Sequence, residues 1–304
     1  MCTEGKACFV LASACLLLSG CLNHYIFHPR TDPPAVQTWS GTAVRGKLLI
    51  RLEWARPQGE GPFPAVIIHP EAGHVAREMR GVARDLARAG YLAVAADYRR
   101  ERRGVYRSSL FTWQDPEDPT AVLDLVLRRA DVDRARIGLL GFSQGGVYSL
   151  LIAAYTGRAA AVVAFYPVTD FETWLAESGG ESRGRRFVFR LIRRHFRKQS
   201  GATDEEDFRR RLARASALRQ AESIRAPVLL IHGERDTSAD IAESRRLADR
   251  LRELGREVEL VAIPDAGHVF NFRDREKARM AWEATIRWLD RYLKPARVRS
   301  SPES

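Results

Sequence analysis

Ser143 lies in the run Gly141-Phe142-Ser143-Gln144-Gly145-Gly146, directly after the apolar stretch Ile137-Gly138-Leu139-Leu140 and directly before a helical pattern. That context predicts a strand, a tight turn and a helix. The serine sits strained at the strand's C-terminal end, and the flanking glycines let neighbouring backbone come close. A hydroxyl is a poor nucleophile at neutral pH, so acyl transfer from Ser143 needs a base within hydrogen-bond reach and a carboxylate to orient that base. Two later loops supply both types. Asp236 ends Ile231-His232-Gly233-Glu234-Arg235-Asp236 and His268 ends Pro264-Asp265-Ala266-Gly267-His268, each directly after an apolar run. Asp265, on the histidine's own loop, and Asp240, at a helix start, compete for the orienting role, although capping suffices for Asp240. Among the other histidines, His69 and His232 end buried strands and read as structural. His74 is a candidate pocket residue, as are Glu71 and, after the strand that follows, Tyr98. No paired His/carboxylate spacing of a metal site occurs, so neither a metal nor another cofactor is expected.

The elements that must position these residues alternate along the chain. Strands are expected at 46–54, 65–70, 91–96, 136–141, 160–166, 226–232 and 257–263. Helices are expected at 75–89, 120–130, 144–155, 239–254 and 275–293. Runs such as Val66-Ile67-Ile68 and Val228-Leu229-Leu230-Ile231 suit strands covered on both faces. The fold class is therefore α/β, a mostly parallel twisted sheet with helices on both faces. The alternation pauses over 168–223, which reads as a small helical cap insertion. Within it, Arg183 to Lys198 forms a basic amphipathic pattern that places Val188, Ile192 and Phe196 on one face. Two uses fit that pattern: a cap helix packed over the pocket beside Phe171, Trp174 and Leu175, or contact with anionic lipid or acidic glycan.

The order Ser143, Asp236, His268, each at a strand end, resembles the α/β-hydrolase superfamily, in particular dienelactone hydrolases and the catalytic domains of prolyl-oligopeptidase-like serine hydrolases. The resemblance spans about residues 45 to 293, taken as the hydrolase domain. It implies Ser143 as nucleophile, His268 as base and Asp236 as orienting acid. The backbone N–H of Gln144 is implied as one oxyanion donor, and that of Ala72, ahead of Glu71, as the other. Glu71-Ala72-Gly73-His74 also resembles the dienelactone hydrolase turn, which carries a glutamate there. Dienelactone hydrolases proper use cysteine as nucleophile, whereas this chain has serine. The expected activity is hydrolysis of a small carboxylic ester, with an aromatic cap favouring apolar acyl or aryl groups. The alternatives are a prolyl-oligopeptidase-type peptidase and a non-catalytic binding protein of hydrolase fold.

Composition bounds the remaining possibilities. The 304 residues are 45% hydrophobic and 29% charged, an ordinary globular balance. The net charge of +11 comes from 49 basic residues against 38 acidic ones. Nearly all the bases are arginine, dispersed among acids and without a reader motif, so nucleic acid is not an expected partner. All four cysteines, Cys2, Cys8, Cys15 and Cys21, lie in the first 21 residues, which leaves the folded body without disulfides or thiol catalysis. Lys6, the low-polarity run Ala7 to Leu18 and the small residues after it have the layout of an export signal. Leu18-Ser19-Gly20-Cys21 resembles a bacterial lipobox. That resemblance implies a signal peptide at 1–20, lipidation of Cys21, and a tether at 21–44 on a membrane-anchored protein. Leu22 stands where an inner-membrane retention aspartate would be, which implies the outer membrane facing the periplasm. Residues 294–304 read as a disordered tail.

Overall fold

The computed structural model describes residues 35–45, 48–72, 74–97, 117–177 and 182–294. Cys21 with the expected leader, Tyr98, and the tail beyond Lys294 lie outside the described residues.

Eight strands form one sheet in the order β1-β2-β4-β3-β5-β6-β7-β8. β1 (Val36–Arg45) and β2 (Leu48–Pro57) pair antiparallel, and β2 pairs antiparallel with β4 (Leu92–Ala96). From β4 onward every neighbour is parallel, through β3 (Phe63–His69), β5 (Val132–Phe142), β6 (Ala161–Phe165), β7 (Val228–Gly233) and β8 (Val258–Ile263). The expected α/β architecture is thus present. Alternation within each apolar run decides which layer a side chain joins. Val66, Ile68, Leu140, Val163, Leu229 and Ile231 pack toward α1 (Arg80–Arg88) and α8 (Arg275–Leu293). Their neighbours Ala65, Ile67, Leu139, Val162 and Leu230 join the opposite core with α2 (Glu117–Leu127), α3 (Gln144–Thr156) and α7 (Ile241–Glu253).

Two differences from the expected boundaries have physical causes. Residues 36–44, read as part of the tether, fall in β1. Trp39 stacks on Trp54 across the β1–β2 pair at 5.7 Å, and the Arg129 guanidinium lies 4.8 Å over the Trp54 ring, so cross-strand packing makes a strand of a segment next to a proline-bearing spacer. The helix expected from residue 75 starts as a 3₁₀ turn, Ala76–Met79, because the Asp97 carboxylate takes the Ala76 N–H at 2.6 Å and the Glu78 carboxylate takes the Val75 N–H at 2.9 Å.

Between β6 and β7 the chain leaves the sheet as α4 (Phe171–Glu177), α5 (Arg183–Ser200), α6 (Glu205–Ala215) and a 3₁₀ turn, Ala217–Ser223. Phe189, Ile192 and Phe196 form the packed face of α5. Val188, expected on that face, does not join the packed core, where a helical period of 3.6 puts Phe189 against Trp174 at 5.1 Å instead. The insertion is fastened where it departs. Glu243 of α7 is almost fully buried and accepts from the Thr169 N–H at 2.7 Å, the Asp170 N–H at 2.8 Å and the Thr169 hydroxyl at 3.0 Å, with Arg246 completing its shell.

Truncating Glu243 strands two buried N–H donors and leaves Arg246 without its carboxylate, while the Thr169 hydroxyl keeps the Glu243 backbone carbonyl at 2.8 Å. Glu243→Ala should lower stability in urea unfolding by about 3 kcal/mol or more, and Glu243→Gln, which keeps one acceptor oxygen, should lose less.

Candidate active site

The turn from β5 into α3 leaves little conformational freedom. A methyl at Gly141 would lie 1.9 Å from the Gly145 carbonyl oxygen, and one at Gly145 would lie 2.0 Å from the His69 oxygen and 2.5 Å from that of Pro70. Glycine is therefore required at both positions, and the chain at 69–70 is pressed against the first turn of α3. Ser143 between them adopts φ 49°, ψ −114°, a region a serine occupies only under external constraint. Its N–H bonds the Phe165 carbonyl at 2.9 Å, which ties the turn to the end of β6.

His268 Nε2 lies 3.1 Å from Ser143 Oγ, and His268 Nδ1 lies 2.6 Å from Asp236 Oδ2. A carboxylate only accepts, so Nδ1 carries the proton and Nε2 is free to take the one on Ser143. Asp236 is itself fixed. Its Oδ1 accepts from the Ser238 and Ala239 N–H groups at 2.8 and 2.9 Å. Burial opposes its charge, but the His232 and His268 side chains outweigh that cost and hold the carboxyl well below the usual carboxylate range. His232 is fully buried, bonded to the Ala239 carbonyl through Nε2 and to Ser244 through Nδ1, which suits the structural role expected of it. His69 likewise meets Ser149 at 3.0 Å, and burial pushes its imidazole down to about 3.

The competing acids are engaged elsewhere. Asp265 is exposed and pairs with Arg235 at 2.6 Å. Asp240 caps α7 by accepting from the Ala242 N–H at 2.8 Å. Gln144 opens α3, where a backbone N–H has no intrahelical acceptor, while its side chain donates to the Tyr148 hydroxyl at 2.9 Å. Ala72 sits exposed in the turn closed by the His74 N–H and the Glu71 carbonyl. Glu71 is buried and directs Oε1 at His74 Nε2, 3.2 Å away, while His74 Nδ1 meets Glu78 at 2.8 Å. Burial works against a charge on His74, but the two carboxylates prevail and raise it to about 9. The geometry thus gives Glu71 to His74.

Tyr166 escaped the sequence reading. It is fully buried at φ 38°, donates to Asn271 Oδ1 at 2.6 Å, and stands edge-on to the His268 ring with centroids 4.6 Å apart. Burial, followed by the Glu71 and Asp236 charges, drives its phenol far up, so it stays a neutral wall for the imidazole. The available signal was its place directly after the β6 run and before Pro167. The cap also reaches this end of the sheet, where Trp174 and Arg185 donate to the Ser238 and Thr237 carbonyls at 2.8 and 2.7 Å, just past Asp236.

Comparison with known proteins bears on the family and the fold. The model of the Dienelactone hydrolase family matches residues 50–293. A Bacillus subtilis protein named uncharacterized peptidase YtmA is 29% identical over 185 residues, 60% of this chain and 66% of that one, so the match spans just under two thirds of that relative. An Escherichia coli K12 protein named "Putative carboxymethylenebutenolidase" is 27% identical over 266 residues, 78% of this chain and 81% of that one. Among solved structures, the thermostable carboxylesterase EstE1 from a metagenomic library superposes with a TM-score of 0.68 at 22% identity, covering 87% of this chain and 92% of its own. The acylaminoacyl peptidase of Pyrococcus horikoshii gives 0.66 at 19% identity, covering 88% of this chain but 43% of its own. These two likenesses speak for the fold.

The raised His74 yields a pH signature. Below about 6.5 the histidine is charged folded or unfolded, and between there and about 9 only the folded chain keeps the proton. Stability should therefore decline as pH rises through that window. In His74→Gln the decline should be absent, as read from urea midpoints at stepped pH.

Proposed function

This chain belongs to the dienelactone hydrolase family, and from that premise we propose that it is a serine hydrolase that cleaves small carboxylic esters through an acyl-enzyme. The observation that carries the reading is the continuous chain of hydrogen-bonding contacts from Ser143 Oγ through His268 to Asp236. In it, Ser143 attacks the ester carbonyl carbon while His268 Nε2 takes the hydroxyl proton, and Asp236 holds the tautomer and steadies the imidazolium. The oxyanion is received by the Gln144 N–H at the start of α3 and by that of Ala72 across the turn. Collapse breaks the ester bond, and His268 returns its proton to the departing alcohol. Water, deprotonated by His268, then releases the acid and restores Ser143.

A peptidase reading is favoured by one observation, the resemblance to proteins named as peptidases. The two readings separate on substrate: p-nitrophenyl esters should turn over far faster than aminoacyl anilides, and the reverse order would make the chain a peptidase. A fluorophosphonate should label wild type at Ser143, and an unlabelled, inactive protein would instead be a binding protein of this fold. Ser143→Ala should lose labelling and about 10⁴-fold or more of kcat. Asp236→Asn should lower kcat by orders of magnitude because the tautomer is lost, while Asp265→Asn stays near wild type. Collapse in Asp265→Asn alone would reassign the acid.

We also propose that the chain is exported and held to a membrane by acyl chains on Cys21, on the strength of the lipobox-like Leu18-Ser19-Gly20-Cys21. No helix among the described residues is long and apolar enough to cross a membrane. Cys21→Ser should move the protein from a salt-resistant membrane fraction into one released by a high-salt wash. Continued salt-resistant retention would refute the anchor.

A further inference from the structure

Helix α5 is built unlike the other basic helices of this protein. In α6, Arg210 pairs with Glu206 at 2.9 Å and Arg211 with Asp207 at 2.8 Å, and in α7 Arg252 pairs with Asp249 at 2.8 Å. In α8, Arg279 pairs with Glu283 at 3.3 Å. Each of these four arginines finds a carboxylate one turn away on its own helix, although others on the same helices, such as Arg291 with Glu257, pair outside it. The sequence of α5, RGRRFVFRLIRRHFRKQS, contains no acidic residue at all. Its flank is neutralised from outside, since Glu205 pairs with Arg193 and lies 3.8 Å from Arg197. Arg183, Arg186, Arg190 and Arg194 are exposed and have no carboxylate partner among the described residues.

At 3.6 residues per turn these four arginines and Phe187 fall within an arc of about 100°, opposite the packed Phe189, Ile192 and Phe196. Arg186, Arg190 and Arg194 follow one another at spacings of four, where like charges repel and oppose the helix. Arg183 and Arg186 also load the helix N-terminus with the sign its dipole disfavours, and no acid stands in the first turn. Phe187 is 55% exposed in the midst of this stripe, with the Arg190 guanidinium 6.0 Å from its ring centre. A helix that only roofed a pocket would gain by interleaving glutamates, as the neighbouring helices do.

We infer that the outer face of α5 docks on anionic phospholipid bilayers. The arginine stripe complements a layer of phosphate headgroups, which relieves the repulsion along the helix, and Phe187 enters the boundary between headgroups and acyl chains. The exposed aromatic is what favours lipid over an acidic glycan, because a soluble polyanion offers it no apolar phase.

The test is flotation of the full chain, carrying Cys21→Ser in every arm, with vesicles of mixed phosphatidylglycerol and phosphatidylcholine and with vesicles of phosphatidylcholine alone. The anionic vesicles should bind at least tenfold more tightly, and rising salt should remove the difference. Replacing Arg186, Arg190 and Arg194 together with Gln should weaken anionic binding about a hundredfold, at roughly one headgroup-level interaction each. Phe187→Ser should weaken it severalfold, with the unfolding midpoint of both variants no lower than the parent's. Equal partition into the two kinds of vesicle, or an unchanged triple variant, would overturn the inference. Tight binding to heparin without binding to the anionic vesicles would give the face to an acidic glycan. Should the triple variant fail to fold, the salt dependence of the parent decides alone.

Discussion

The close contact between the β5–α3 turn and the end of β3 is the constraint on which the rest of the site depends. Because the His69 and Pro70 carbonyls fill the space a side chain at Gly145 would need, the helix starts directly against the neighbouring strand. Ser143 has one way to bridge the two, at positive φ, and the surrounding sheet holds it there. The same contact carries residues 69–70 alongside the first turn of α3. Position of the Ser143 hydroxyl thus follows from one packing event, and the loops bearing His268 and Asp236 are brought to it by strands further along the same sheet edge.

Electrostatics finish what packing begins. Asp236 remains charged in a buried site because two backbone N–H groups and two imidazoles face it, and each of those is held by something else: His232 by Ser244 and the Ala239 carbonyl, His268 by the edge of Tyr166. Removing any one outer contact would leave the inner bonds formed but less firmly aimed. Nearby, His74 lies between Glu71 and Glu78, so the acidic turn beside the nucleophile contains its own counter-charge.

What could be read directly from the residues was whatever the backbone repeats locally. The apolar runs ending at His69, Phe142 and Gly233 mark strands buried on both faces, and the run ending at Ile263 marks the edge strand beside them. Ser143, Asp236 and His268 each stand on the loop after such a run, which is why their meeting was foreseeable without coordinates. Three features were not, and each depends on partners far along the chain. β1 is a strand because Trp39 finds Trp54 and Arg129, not through the pattern of residues 36–45 alone. Tyr166 reads as the last residue of an apolar run until Asn271 and His268 surround it. The pairing of Glu71 with His74 depends on how the turn closes, a matter of a few ångströms that residue type does not encode.

Ser143 and His268 are separated by 125 residues along the chain, and His268 and Asp236 by 32. No local segment can assemble any part of this relay, since each member stands on a different parallel strand and parallel pairing closes only after long loops have formed. During synthesis the serine turn emerges well before the loop bearing its base. A nascent chain therefore carries Ser143 without His268 beside it, and the two meet only when β8 docks at the sheet edge. Assembly of this three-residue contact is in that sense a late folding milestone.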